Sequence, residues 1–130
     1  MSVYHRIAIQ ITLSLSLFLC AATFSVAADG ASAAKQMAVI LLQLHHHPSQ
    51  EDKAVLQSII ENKSTRNNER IIANAILNID HKAKASDITE LAAIVMSKDA
   101  SGDEKDLATS LINLNHEPTL KDKKRLELIK

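Results

Sequence analysis

Aromatic residues are nearly missing from this chain, and the few it has sit at one end. There is no tryptophan, and Tyr4, Phe18 and Phe24 all precede residue 28. A core built downstream of them must therefore be aliphatic. Cysteine is represented by Cys20 alone, which excludes an intramolecular disulfide and a zinc-thiolate cluster. Only Gly30 and Gly102 supply glycine, too few for a phosphate-cradling loop or a Gly-x-Ser-x-Gly nucleophile turn. Charge of one sign is also lacking, because 15 Lys and Arg residues balance 15 Asp and Glu. That balance provides no long-range field for nucleic acid or an anionic membrane.

One long apolar run is present, over residues 7–19, preceded by His5 and Arg6. Val26, Ala27 and Ala28 follow it with the small residues that signal peptidase requires, so residues 1–28 read as a secretory signal cleaved after Ala28. The run is short for a membrane span, and none is expected after cleavage. Acylation of Cys20 is disfavoured by Leu19, which stands where a lipoprotein signal has a small residue. The expectation is an exported protein, periplasmic or secreted, whose residues 29–130 form a single domain held by its core and not by covalent staples.

That domain repeats itself with a period of 35 residues, over residues 34–68, 69–103 and 104–130. The shift superposes Ala38, Ala73 and Ala108; His46, His81 and His116; Asp52, Asp87 and Asp122; and Leu56, Leu91 and Leu126. A period in this range means a supersecondary unit packed on copies of itself. Each copy begins with an apolar helical stripe, Met37-Ala38-Leu41-Leu42-Leu44 in the first. A histidine-bearing turn follows, then a second helix marked by an N-cap hydroxyl, Ser49 or Thr119, three residues before an acid. Lys84 occupies the cap column of the middle copy, so Ser86 is expected to cap there and to start the helix about two residues later. The fold class is all-α: three helical hairpins forming a short α-solenoid or a compact six-helix array.

The stretch Glu69-Arg70-Ile71-Ile72-Ala73-Asn74-Ala75-Ile76-Leu77-Asn78-Ile79-Asp80 resembles the inner helix of HEAT-like repeats, and residues 103–114 are similar. The resemblance implies a right-handed solenoid that binds proteins or peptides along its surface. A non-enzymatic protein-binding or scaffold module is accordingly the function expected, with an unidentified protein partner and no cofactor. Ala33, Val39 and Ile40 are the candidate contact patch, because the first helix is apolar on a side where later copies have Asn74, Thr109 and Ser110. The same patch would serve a homodimer formed through the first helix. The basic run of Lys121, Lys123, Lys124 and Arg125 reads as a solvated end.

Histidine is the residue type that could carry chemistry, and no catalytic set accompanies it. His45, His46, His47, His81 and His116 are candidates for loose binding of Zn²⁺, Cu²⁺ or Ni²⁺. The three equivalent histidines are expected to form a row along one edge, about 10 Å apart and too far for neighbouring copies to share an ion. Dipole interactions at a helix C-terminus would then account for the column, and no metal centre is expected. Alternative functions are a periplasmic metal-binding protein using the turn histidines, or a small inhibitor or immunity-type protein. Asn78 and Asn113, aligned with Gln43, are expected either to form an amide ladder or to line a wet edge.

Export should deliver a chain whose first residue is Asp29, detected as an intact mass lacking residues 1–28. That product should have almost no absorbance at 280 nm, and retention of the leader would restore the absorbance of Tyr4.

Overall fold

The structure, a computed structural model, describes residues 32–129. The signal, Cys20 and Gly30 lie outside the described residues. Among the described residues there are six helices: α1 (Ala33–Leu42), α2 (Gln50–Glu61), α3 (Asn67–Leu77), α4 (Ala85–Met96), α5 (Gly102–Ile112) and α6 (Leu120–Ile129). They pair as the three expected hairpins, α1–α2, α3–α4 and α5–α6.

The hairpins close on themselves. The outer helix of each copy packs on the inner helix of the next, α2 on α3 and α4 on α5, and α6 returns to pack on α1. The inner helices α1, α3 and α5 all touch one another. This is the compact six-helix array, arranged as a ring about a pseudo-threefold axis. An open stack of three hairpins would leave an apolar face at each end, and closure buries both against each other.

The core repeats with the sequence. Met37, Ile72 and Leu107 are fully buried, as are Leu41, Ile76 and Leu111, and Leu56, Leu91 and Leu126. The invariant Ala38, Ala73 and Ala108 are also inaccessible, which a larger side chain could not be without pushing neighbouring helices apart. Pro48, Ala83 and Pro118 are buried at the start of each second helix. Polar groups join the interior in the third copy, where Glu104 and Asp122 are buried with partners. Glu104 Oε2 accepts from Ser101 N–H at 2.8 Å and Asn68 Nδ2 at 3.2 Å, and Arg66 Nε lies 3.4 Å from its Oε1. Asp122 accepts from Thr119 Oγ1 at 2.6 Å and Arg125 Nη1 at 2.9 Å.

Local signals held where packing agreed with them. Ser49 and Asp52 form a reciprocal capping box at α2. In the middle copy they did not prevail: α4 starts at Ala85, in register with α2 and α6, with Lys84 at the N-cap and no side-chain cap bond. Ser86 instead donates to Asp87 at 3.2 Å. Burial of the equivalent Leu91 and Ile94 sets the helix position, and a cap of about 1 kcal/mol does not shift it. Asn78 and Asn113 form no ladder; their amides reach Asp87 and Asp122 and brace the two helices of a hairpin.

The proposed contact patch is divided by the fold. Ile40 is buried, as are its equivalents Ala75 and Ser110, while Ala33 is half-buried against the core and only Val39 is exposed. The extra apolar character of α1 thus belongs in part to ring packing. The basic end of the chain is likewise engaged: Arg125 pairs with Asp106 at 3.0 Å and with Asp122, and Lys123 with Glu117 at 2.8 Å. Lys121 and Lys124 alone of that run are exposed.

Ile40→Ser should destabilise the fold by about 2–5 kcal/mol in urea titrations followed by helical circular dichroism. Val39→Asn should change stability by no more than about 0.5 kcal/mol. An unaltered Ile40→Ser midpoint accompanied by loss of a dimer would instead restore the contact patch.

Candidate metal centre

The turns that end α1, α3 and α5 all point their middle residue at the pseudo-threefold axis. Each inner helix stops at Gln43, Asn78 or Asn113, and a buried apolar residue follows, Leu44, Ile79 or Leu114. Two residues later stand His46, His81 and His116. Their peptide groups hydrogen-bond in a closed cycle: His46 N–H to His116 C=O at 3.2 Å, His81 N–H to His46 C=O at 2.9 Å, and His116 N–H to His81 C=O at 2.6 Å. Each hairpin thereby donates once and accepts once, and the cycle ties the third copy to the first.

The backbone at these positions is unusual. His46, His81 and His116 have φ of 65°, 66° and 68°, and among the described residues no others have positive φ. In the first copy the turn is tightened further by His47 N–H donating to His45 C=O at 2.7 Å. A side chain at positive φ costs of order 1–3 kcal/mol, and glycine or asparagine would carry the turn with less strain. Histidine nevertheless occupies the position three times.

The side chains explain the choice. The three Nδ1 atoms converge, 3.0 Å between His46 and His81, 3.0 Å between His46 and His116, and 3.1 Å between His81 and His116. Ring centroids are 4.8 to 5.0 Å apart and the rings meet edge to face like propeller blades. Imidazoles alone satisfy this poorly, since a neutral ring nitrogen either donates or accepts and a cycle needs both at each atom. With the ring protons on Nε2, the three Nδ1 lone pairs would be matched by one cation. An ion about 2.1 Å from each nitrogen would sit roughly 1 Å out of their plane, with angles of roughly 95° between bonds. That is one face of an octahedron; opening the triangle by roughly 0.3 Å makes it the base of a tetrahedron.

The expectation of a row of separated histidines is therefore corrected. It assumed translation from copy to copy, whereas rotation about an axis brings equivalent atoms together. The structure also divides the five histidines. His46, His81 and His116 form the convergent group, while His45 and His47 are exposed to either side of one apex. Around the triad the flanking columns are His45, Asp80 and Asn115 on one side and His47, Lys82 and Glu117 on the other. Asp80 Oδ1 lies 3.6 Å from His81 Nε2, the ring nitrogen that is not in the convergent group. Glu117 is held below the usual carboxylate range by its hydrogen bond from Lys123 and that ammonium's charge. Surface hollows of about 510, 310 and 300 Å³ are lined by other residues.

Strain accepted for a ligand has a measurable signature. His46→Asn should leave the metal-free protein as stable as before, or more stable by up to about 1 kcal/mol, in chelator-treated urea titrations. A loss of several kcal/mol would show that the imidazole holds the ring closed without an ion. No family model, curated protein or solved structure matches this chain, so the candidate centre stands on its own geometry.

Proposed function

We propose that this protein binds one divalent first-row transition metal ion through His46, His81 and His116, in the exported compartment to which its leader directs it. The observation that carries this reading is the convergence of three Nδ1 atoms within 3.1 Å of each other, from residues 35 and 70 positions apart. Imidazole donors suit Zn²⁺, Cu²⁺ and Ni²⁺, and the facial angles favour ions that accept six-coordination, such as Ni²⁺ or Co²⁺. The role is one of binding: the ion takes a ligand from every hairpin and fastens the ring at its apex. Metal binding of this kind also adds to folding stability, because the unfolded chain holds no preformed triad.

A protein-binding module is the second reading, favoured by the exposure of Met96, Leu120 and Leu128, each more than four-fifths accessible. Capture of one dominant partner irrespective of chelator would support it.

Calorimetric titration with Ni²⁺, Zn²⁺ and Co²⁺ separates a built centre from a loose histidine tract. One equivalent should bind, and His81→Ala should weaken affinity by more than the roughly 10–100-fold typical of an outer-shell partner. Replacing both His45 and His47 with Ala should leave the affinity within about threefold, given that neither is in the convergent group. The opposite pattern would return the binding to the tract.

A further inference from the structure

An ion at the triad is held from one side. Among the described residues the convergent group contains three imidazoles and no carboxylate or fourth histidine, and all three of its residues are exposed. A six-coordinate ion retains three further positions and a four-coordinate ion retains one. Neutral ligands also leave the ion its full double charge at the protein surface, where it attracts an anionic or imidazole donor. The peptide cycle bonds His46, His81 and His116 to one another through the backbone, so the ligands are positioned by the ring itself. Loading and unloading then require no opening of the core.

We infer that the loaded triad is a donating site, which passes its ion to a chelating acceptor by ligand substitution through a ternary complex. This rests on the metal-binding reading. The acceptor is a chelating set of nitrogen and oxygen donors. Its first lone pair displaces one water from the ion's solvent-facing side, the water returning to solvent, while all three Nδ1 bonds persist. One Nδ1–metal bond then breaks as a second acceptor bond forms, and the exchange repeats until the ion is transferred. The metal keeps its oxidation state throughout, and any proton displaced from an acceptor donor goes to water. A buried, fully ligated site would behave otherwise, since its ion must leave before an acceptor can reach it.

Two measurements on the Co²⁺-loaded protein test this. Mixed with excess 4-(2-pyridylazo)resorcinol, a chelating chromophore, it should release its ion at a rate proportional to chelator concentration, about tenfold faster for a tenfold increase. A rate identical at every concentration would overturn the proposal by showing that the ion departs first. Azide added to the loaded protein should shift the visible cobalt spectrum at a constant protein-to-metal ratio, reporting an open position; an unshifted spectrum would remove the premise. Failure to load one equivalent of metal would instead refute the underlying metal reading, before any exchange is measured.

Discussion

Three hydrogen bonds between three histidine peptides close this molecule at its apex, and much of its character depends on that closure. The two connectors between copies tie α2 to α3 and α4 to α5 through the chain. No such connector joins α6 to α1, so that seam relies on packing and on the bond from His46 to His116. A ring of three has no terminal repeats, which removes the need for the polar capping units that an open array requires. It also turns identical positions in sequence into neighbours in space. Period becomes proximity.

That conversion makes the turn the place where chemistry accumulates. An apex residue near a threefold axis meets its two equivalents, so one favourable residue type chosen once is repeated three times at bonding distance. Histidine at positive φ is costly for the backbone, and three convergent Nδ1 atoms satisfy one another poorly. On the metal-binding proposal both costs are offset by a cation. The flanking charges are asymmetric in a way that keeps the site near neutral: Asp80 faces His81, Lys82 stands on the other side, and Glu117 is engaged by Lys123.

Stability is assembled from small aliphatic side chains without aromatic or disulfide support. Close packing of the alanine column and full burial of nine large aliphatic positions do most of it. The copies are not equally apolar, however. Ile40, Ala75 and Ser110 occupy one buried column, in which a large apolar side chain gives way to a small one and then to a small polar one. The third copy adds buried Glu104 and Asp122, each held by a hydroxyl cap and an arginine. Such pairs add specificity of register at a desolvation cost; Glu104 ties the third copy to Arg66 and Asn68 of the second, and Asp122 braces the third hairpin through Asn113.

How much of this could be read from residue order follows from the range of each interaction. Helix positions, the hairpin unit and the buried Leu and Ile columns come from spacings within a few residues, and Leu56, Leu91 and Leu126 behaved as their pattern required. The capping box at Ser49 is equally local. The start of α4 was not, because the distant packing of Leu91 outweighs the cap preference of Ser86. Translation and rotation of a repeat leave the same periodic signature, so period alone does not distinguish a row of histidines from a triad. The all-helical repeat and the recurrence of His46, His81 and His116 follow from residue order. Their meeting follows from the fold, because the return of α6 to α1 is a long-range burial of apolar faces that no local pattern encodes.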